Sequence, residues 1–196
     1  MSPDELRREL RGRRRTLACT EQAAVAAAIT ERVVQLATFA AATHVAAYLA
    51  FDGEVDPSPL VAHAWRLGKR LYLPLLRDDG GLDFAPYAPD TPLAPNRFGI
   101  DEPVVDAEAR LPATALDLVF APLVGFDVAG GRLGMGGGFY DRSFAFLLDA
   151  EPPATPHLIG LAHDFQRVER LPRQPWDVPL TAIVTEHAVY VPPGAA

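Results

Sequence analysis

Residues 117–141 read DLVFAPLVGFDVAGGRLGMGGGFYD, and this stretch decides the expected fold. Its first part, 117–123, is apolar on both faces, which is typical of a strand buried inside a parallel sheet. A glycine-rich loop (residues 125–138) follows, and a helix is expected from about Phe139 to Asp149. A strand that leads through a loop into a helix is the repeating unit of an α/β fold.

The segments on either side repeat this alternation of strand and helix. Further strands are expected at 44–50, 70–75, 82–87, 157–163 and 180–185, with an edge strand at 189–191. A helix is expected from Asp56 to Gly68, whereas residues 88–113 are rich in proline and are expected to be mostly loop. The sequence therefore predicts one α/β sandwich domain over 1–196, with a largely parallel central sheet flanked by helices. Ligands of such sheets collect beyond the carboxyl ends of the strands.

Residues 1–40 are expected to form two helices that pack on this core. A capping box at residues 2–5 (SPDE) begins the first helix, and Thr20 is expected to cap the second, which runs to about Phe39. Residues 1–15 hold six of the 18 basic residues and only three of the 25 acidic ones. This basic helix has three open roles: a solvated surface helix, a nucleic-acid contact, or a lid that meets nucleotide phosphates. The net charge of −7 argues against the nucleic-acid role.

Composition excludes several other classes of protein. The hydrophobic fraction of 49% and the charged fraction of 22% are ordinary for a globular protein. No apolar run reaches the roughly 18 residues that a membrane-spanning helix needs. The single cysteine, Cys19, excludes an internal disulfide and any multi-cysteine metal site. The charged N-terminus without an apolar signal core predicts a cytoplasmic protein.

The glycine-rich loop contains seven of the 15 glycines, and its core with the following helix start reads RLGMGGGFYD (132–141). Glycines let the backbone approach an anion closely, and the start of a helix offers free N–H groups. Arg132 adds a guanidinium that can bind phosphate through two N–H groups. The pattern therefore predicts a phosphate-binding loop, with a flexible surface loop as the alternative. Its spacing matches neither a Walker A loop nor a dinucleotide-binding fingerprint.

Each side chain near this loop has two possible roles. Phe139 and Tyr140 could stack on a flat ring or could belong to the core between helix and sheet. Asp141 could be a favourable acid at a helix start or, beside phosphate, a Mg²⁺ ligand. Asp177 could be a second metal ligand or a capping residue. Glu54 follows the first strand and has no evident structural role, so it is a functional candidate.

Three further residues have ordinary structural interpretations. Asp56 is best explained as a helix cap, and Asp52 as a turn residue. His163, at a strand end, is expected to be a loop histidine with satisfied hydrogen bonds. Lys69, the only lysine, lies away from the glycine-rich loop.

Several segments, taken in order, are similar to those of one enzyme family. These are LRRELRGRRR (6–15), YLAFDGEVD (48–56), GKRLYLP (68–74), FGIDEP (98–103), DLVFAPLVGFD (117–127), RLGMGGGFYDR (132–142) and WDVPL (176–180). The chain resembles the 5-formyltetrahydrofolate cyclo-ligase family, also called methenyltetrahydrofolate synthetase, over roughly residues 3–185. RLGMGGGFYDR is the most specific of the segments.

The resemblance implies a fold and a reaction. The fold would be similar to the sugar-phosphate isomerase and CoA-transferase group. The reaction would convert 5-formyltetrahydrofolate to 5,10-methenyltetrahydrofolate through a phosphorylated formyl (iminophosphate) intermediate. MgATP would be consumed, with ADP and phosphate released.

The resemblance also implies roles for individual residues. The implied catalytic residues are Tyr140 and Arg132. Substrate contacts are implied for Glu54, Leu49, Phe98, Tyr140, Gly136 and Gly138. ATP contacts are implied for Arg7, Arg132, Gly134, Met135, Gly136, Gly137, Gly138, Phe139, Tyr140 and Asp141. The implied Mg²⁺ ligands are Asp141 and Asp177. The family commonly has a lysine where this chain has Pro3, so the ATP phosphates are expected to rest on arginines, backbone N–H groups and Mg²⁺.

Two alternative functions stay open at this point. One is a non-catalytic or regulatory relative that binds folate or nucleotide. The other is a sugar-phosphate isomerase or CoA-transferase of the same fold group, which would not use ATP. The expected partner is a small folate substrate, with or without a polyglutamate tail. Neither nucleic acid nor membrane is an expected partner, and the chain is expected to be a monomer.

Overall fold

A computed structural model of the chain describes residues 2–151 and 154–193. The helices in chain order are α1 (Pro3–Thr16), α2 (Cys19–Val33), α3 (Ala37–Ala41), α4 (Ser58–Arg66) and α5 (Phe139–Ser143). The strands are β1 (His44–Ala46), β2 (Arg70–Leu76), β3 (Leu82–Pro86), β4 (Leu93–Pro95), β5 (Asp101–Pro103), β6 (Leu118–Ala121), β7 (Gly125–Phe126), β8 (Arg132–Leu133), β9 (His157–Leu161), β10 (Ala182–Val184) and β11 (Val189–Tyr190). Short 3₁₀ helices lie at Ala107–Ala109, Ala113–Ala115, Ala145–Leu148 and Asp164–Gln166.

Seven of these strands form a central sheet in the order β11-β10-β9-β6-β1-β2-β3. The five inner strands are parallel, and the two edge strands β11 and β3 are antiparallel to their neighbours. Strand β6 lies in the middle, where Leu118 is aligned with Val45 of β1 and with His157 of β9. This position explains why the 117–123 segment is apolar on both faces. The predicted α/β fold with a largely parallel sheet is confirmed.

Alternate side chains of β6 pack into cores on opposite faces of the sheet. Leu118 and Phe120 pack with residues of α2, α3 and α4 on one face. Val119 and Ala121 pack on the other face, together with Phe144 at the end of α5. Burying one such large side chain contributes about 1.5–3 kcal/mol, so the two cores fix the layered arrangement.

Helix α1 lies against the loops that follow β1 and β6. Its predicted capping box is confirmed: the Ser2 N–H donates to Glu5 Oε2 at 2.7 Å, and the Glu5 N–H donates to Ser2 Oγ at 3.3 Å. On its inner side Leu10 is buried against Val124 and Leu133. Within the described ranges, no helix is both long enough and apolar enough to cross a membrane.

The predicted start and end of the second helix are wrong. Helix α2 begins at Cys19, so Thr20 lies inside its first turn and does not cap it. The N-cap is Ala18, whose N–H donates to the carboxylate of Glu21 at 2.9 Å. The helix ends at Val33, and α3 is a separate short helix around Phe39. This bond is one half of a capping box, because the side chain three residues into the helix accepts from the N-cap N–H; alanine has no side chain to provide the other half.

Other segment boundaries also differ from the predictions. Strand β1 ends at Ala46 because its pairing with β2 and β6 stops there. The 88–113 segment contains the β4–β5 hairpin, whose tip is closed by Asn96 accepting from two backbone N–H groups. The glycine-rich loop contains the β7–β8 pair. The predicted helix from Phe139 to Asp149 is divided at Phe144 into α5 and a 3₁₀ turn.

The 1–196 domain assignment stays a prediction, since residues 1, 152–153 and 194–196 lie outside the described ranges.

The turn at 51–54, after β1, is shaped by two consecutive residues of positive φ. Asp52 has φ +54° and Gly53 has φ +75°. Gly53 faces the backbone of α1, because a Cβ at this position would lie 2.9 Å from the Arg14 carbonyl oxygen. The turn and α1 are therefore packed backbone to backbone.

Gly53→Ala is expected to reduce the free energy of unfolding more than Gly68→Ala. The two glycines have similar φ values, +75° and +72°, so each alanine carries a similar backbone cost. That cost is about 1–2 kcal/mol for a left-handed conformation. A Cβ at Gly53 also collides with Arg14, whereas one at Gly68 meets no atom within 4 Å. Urea denaturation measures both losses, and equal losses would contradict the close packing of α1 on the turn.

Candidate active site

A cavity of about 860 Å³ lies at the carboxyl ends of β1, β2 and β6. Its walls come from α1, the loop after β1, the β4–β5 hairpin, the glycine-rich loop with α5, and residues 170–177. The position agrees with the rule for parallel sheets, and the size suits a small-molecule site. The cavity brings together every predicted site residue: Arg7, Leu49, Glu54, Phe98, Arg132, Gly134, Met135, Gly136, Gly137, Gly138, Phe139, Tyr140, Asp141 and Asp177. Their individual roles stay predictions.

Two arginines reach the glycine-rich side of the cavity. Arg7 of α1 donates from Nε to the carbonyl oxygen of Gly134 at 2.9 Å. Arg132 of β8 is ion-paired with Asp141 at 2.9 Å, and its guanidinium lies 5.0 Å from the ring centre of Tyr140. Helix α5 is only five residues long, so its dipole contributes little at this site. The positive charge on this side therefore comes from arginine side chains: Arg7 and Arg132, with Arg170 also on the cavity wall and Arg142 donating to the carbonyl oxygen of Gly137.

The two predicted metal ligands lie near each other. Asp141 accepts hydrogen bonds at Oδ1 from Arg132 and from the Val178 N–H, which directly follows Asp177 in the chain. Asp177 accepts at Oδ2 from the Gln174 N–H at 2.7 Å. These bonds use one oxygen of each carboxylate, so the other oxygen can ligate a cation.

The fit of this pair to Mg²⁺ is partial. Mg²⁺ in nucleotide sites takes one or two carboxylates and completes its shell with phosphate oxygens and water. Asp141 and Asp177 match that need beside a triphosphate. Within residues 2–151 and 154–193, no group of three or more histidine, cysteine or acidic residues could hold a metal by itself.

A buried carboxyl group defines the opposite side of the cavity. Glu54 accepts at Oε2 from the Phe51 N–H at 3.2 Å, and its Oε1 lies 3.9 Å from Arg14. Burial raises the pKa of Glu54 to about 7, against the opposing effects of Arg14 and the Phe51 N–H. Burial also raises the pKa of the Tyr140 hydroxyl, and the Glu54 charge adds to this rise. Tyr140 is therefore a neutral hydrogen-bond donor at physiological pH.

Flat apolar side chains surround these polar groups. Phe98, at the tip of the β4–β5 hairpin, meets the ring of Phe139 edge to face at 6.0 Å. Phe98 and Trp176 both line the cavity although they are 53% and 63% exposed. Sequence reasoning used Asp177 and not its neighbour Trp176, although an exposed tryptophan next to a candidate ligand was a usable signal. Such surfaces suit an aromatic ligand ring.

Of the three roles left open for the basic helix, that of a solvated surface helix is wrong. The side chain of Arg14 is 0% exposed, and its guanidinium donates to the carbonyl oxygens of Leu123 at 3.0 Å and Asp52 at 3.2 Å. Arg7 lies in the cavity itself. Lys69 donates to the carbonyl oxygens of Ala40 and Ala42, which confirms that the only lysine lies elsewhere.

Two residues near Glu54 have more contacts than the sequence indicated. Asp52 is a turn residue, as predicted, and it also pairs with three arginines of α1. The signal was present in the spacing of Arg11, Arg14 and Arg15, which places them on one face of a helix. The prediction of a satisfied His163 is wrong. Its ring is buried with Nε2 3.1 Å from the Gly53 carbonyl oxygen, and its Nδ1 has no hydrogen-bond partner within the described residues.

Comparison with known proteins connects this chain to one family. A model of the 5-formyltetrahydrofolate cyclo-ligase family matches residues 2–186. A 5-formyltetrahydrofolate cyclo-ligase of Escherichia coli is 43% identical over 183 residues, covering 92% of this chain and 98% of the relative. One of Haemophilus influenzae is 40% identical over 182 residues, covering 92% and 95%.

A solved structure shows the same arrangement of the chain. The NMR structure of Aquifex aeolicus 5,10-methenyltetrahydrofolate synthetase aligns with a TM-score of 0.80 at 33% identity, over 97% of this chain and 93% of that one. The likeness of the fold to the sugar-phosphate isomerase and CoA-transferase group stays a prediction. Since both the family match and the relatives extend over nearly all of the sequence, the chain belongs to the 5-formyltetrahydrofolate cyclo-ligase family.

Proposed function

We propose that this chain catalyses the ATP-dependent conversion of 5-formyltetrahydrofolate to 5,10-methenyltetrahydrofolate, with release of ADP and phosphate. One observation carries the proposal: a single cavity joins a glycine-rich loop under two arginines to an apolar pocket with a buried carboxyl group. The first part suits a triphosphate, and the second suits a flat ring with N–H donors. Membership of the family supports the same reaction.

The proposed reaction has two steps, and each step forms one bond and breaks another. The formyl oxygen of the substrate attacks the γ-phosphorus of ATP, the bond to the bridging oxygen breaks, and ADP leaves. The secondary amine of the folate then attacks the formyl carbon, the carbon–oxygen bond breaks, and that oxygen leaves with the phosphate. The amine proton passes to the departing phosphate or to water. Phosphorylation is needed because an amide oxygen is otherwise a poor leaving group.

The phosphates of ATP are assigned to the glycine-rich side of the cavity. Arg7 and Arg132 neutralise negative charge, and the backbone of 134–138 offers N–H groups. Arg132 is held in place by Asp141 and by the ring of Tyr140, so little motion is lost when it binds phosphate. Pro3 also lines the cavity and carries no charge, so the positive charge from α1 at this edge is that of Arg7.

The pterin ring is assigned to the opposite side. The Glu54 carboxylate accepts hydrogen bonds from ring N–H and amino groups, and Leu49 and Phe98 contact the ring faces. Gly136 and Gly138 are assigned to substrate contact through their backbone, since both line the cavity. Tyr140 lies between both sides, and its hydroxyl donates to the formyl or phosphate oxygen on which charge develops.

Asp141 and Asp177 are assigned to Mg²⁺ that arrives with ATP. The ion would neutralise phosphate charge during the transfer. The family match and the relatives favour the cyclo-ligase reaction over the two alternatives considered above, a non-catalytic relative and an isomerase or CoA-transferase. A polyglutamate tail on the folate substrate, a monomeric state and a cytoplasmic location stay predictions.

The direct test is to incubate the protein with MgATP and 5-formyltetrahydrofolate and to follow methenyltetrahydrofolate by its near-ultraviolet absorbance. The expected result is product that depends on both substrates, with one ADP formed per turnover. Absence of product at micromolar enzyme would refute the proposed function. ATP hydrolysis without methenyltetrahydrofolate would point to a different acceptor.

Glu54→Gln is expected to weaken folate use and to remove a pH dependence. Below about pH 7 Glu54 gains a proton and loses its charge, so kcat/KM for the folate should fall as the pH is lowered through that value. The glutamine cannot titrate, so this decrease should disappear. Loss of a hydrogen bond to a charged group costs about 1.5–3 kcal/mol, or roughly 10- to 150-fold in kcat/KM above pH 7.

The neighbours and the control make this pH test specific. The ionisable groups that face Glu54 are Arg14 and Arg11 of α1, Asp52, Tyr48 and Tyr140. Glu31→Gln, on the exposed face of α2, should leave the profile unchanged. A decrease near pH 7 that persists in Glu54→Gln would assign the titration to another group.

Asp141→Asn is expected to lower turnover about 100-fold or more while the protein stays folded, because metal-assisted neutralisation of phosphate supplies several kcal/mol. Asparagine keeps the acceptors for Arg132 and Val178, so the packing is preserved. The stabilisation by ATP in a thermal unfolding experiment should lose its dependence on Mg²⁺. Asp149→Asn, an exposed change just after the same segment, is the control. Unchanged Mg²⁺ dependence in Asp141→Asn would make Asp141 a purely structural acid.

A further inference from the structure

We propose that Asp52 is a positioning residue for ATP: its carboxylate binds three arginines of α1 and thereby holds Arg7 over the glycine-rich loop. The inference rests on the proposed function for the identity of the ligand. It adds a residue that touches neither the cavity nor the expected substrates, since Asp52 is absent from the cavity wall while Phe51 and Glu54 belong to it.

The contacts of Asp52 concentrate on one face of α1. Its Oδ2 accepts from Arg11 Nε at 2.7 Å and lies 3.4 Å from a guanidinium nitrogen of Arg14. Its Oδ1 accepts from Arg15 Nε. The Asp52 side chain is 7% exposed. Burial alone would raise the pKa of Asp52, but the hydrogen bonds from Arg15 and Arg11 outweigh it and lower the pKa, so the carboxylate stays charged.

The backbone at Asp52 is shaped to present this carboxylate. A non-glycine residue with φ +54° carries a conformational cost, and such residues persist where their surroundings hold them. The surroundings here act from two sides. Arg14 donates to the Asp52 carbonyl oxygen, and the His163 ring lies within hydrogen-bond distance of the Gly53 carbonyl oxygen.

Helix α1 connects this turn to the ATP side of the cavity. Arg7 and Arg11 are one helical turn apart, and Arg14 lies about 10 Å from Arg7 along the axis at 1.5 Å per residue. At the far end Arg7 donates to the Gly134 carbonyl oxygen at 2.9 Å. Between these two ends the apolar contact of α1 with the body comes from the buried Leu10 and the partly buried Leu6. The polar contacts at Asp52 hold the other end of the same rigid helix, so they contribute to the position of Arg7.

Loss of the Asp52 charge would act on α1 as a whole. Three guanidiniums would remain close together without their shared counter-charge, and like charges repel. The buried Arg14 would keep only Glu54, at 3.9 Å, as an acidic partner among the described residues. A small rotation of α1 would follow, and it would move Arg7 away from Gly134.

The experiment is a double-mutant cycle of Asp52→Asn and Arg7→Gln, with the dissociation constant of MgATP measured by titration calorimetry. Asp52→Asn is expected to weaken MgATP binding about tenfold in the otherwise unchanged protein, and less than about twofold when Arg7 is already glutamine. If the two residues act independently, the factors by which the single variants change the dissociation constant multiply in the double variant. A variant that only destabilises the protein would also give multiplied factors. A smaller effect of Asp52→Asn in the Arg7→Gln protein therefore shows that Asp52 acts through Arg7. Binding of 5-formyltetrahydrofolate should change less than about threefold in Asp52→Asn.

Controls and a second variant keep the test decisive. Asp79→Asn removes an exposed acid that pairs with Arg77 in another turn, and it should change nothing. If Asp52→Asn does not fold, Arg11→Gln replaces it, since Arg11 contacts Asp52 and does not line the cavity. Multiplicative effects on MgATP binding, or no effect of either variant, would overturn the inference. Because the measurement is binding, a protein that binds MgATP with this coupling but forms no methenyltetrahydrofolate would refute only the proposed function.

Discussion

The guanidinium group of Arg14 is fully buried, and a charge in that position requires partners because desolvation costs several kcal/mol. Its partners are the carbonyl oxygen of Leu123 after β6, the carbonyl and carboxylate of Asp52 after β1, and Glu54 at a longer distance. One side chain of the N-terminal helix thus joins the loops that follow two adjacent strands of the sheet. The shape of the cavity depends on this junction, since the same loops provide its floor.

Two carboxyl groups in the loop after β1, two residues apart, have pKa values shifted in opposite directions. Asp52 is hydrogen-bonded to guanidiniums, and its pKa is lowered. Glu54 is buried with a distant cation, and its pKa is raised to about 7. Neighbouring acids with opposite shifts commonly have different roles. Here the first holds a helix, and the second faces the cavity, where its charge is available to a ligand.

The glycine-rich side of the cavity is built on a similar principle. Arg132 is oriented by Asp141 and by the ring of Tyr140, and Arg7 is oriented by the Gly134 carbonyl oxygen. Both guanidiniums are positioned before any ligand arrives, which reduces the entropy lost on binding. Arg7 comes from a different part of the chain than Arg132, so the site is complete only when α1 is docked.

Sequence by itself determined the parallel α/β architecture, the glycine-rich loop and the family, because these depend on local apolar pattern, spacing and motif. The two-faced apolar strand at 117–123 and the capping box at residues 2–5 were both readable from neighbouring residues alone. Only the tertiary structure decided that Arg14 is buried, that Asp52 receives three arginines and that His163 reaches Gly53. Those contacts join residues 37 to 110 positions apart, and their energies depend on burial, which a sequence pattern does not specify.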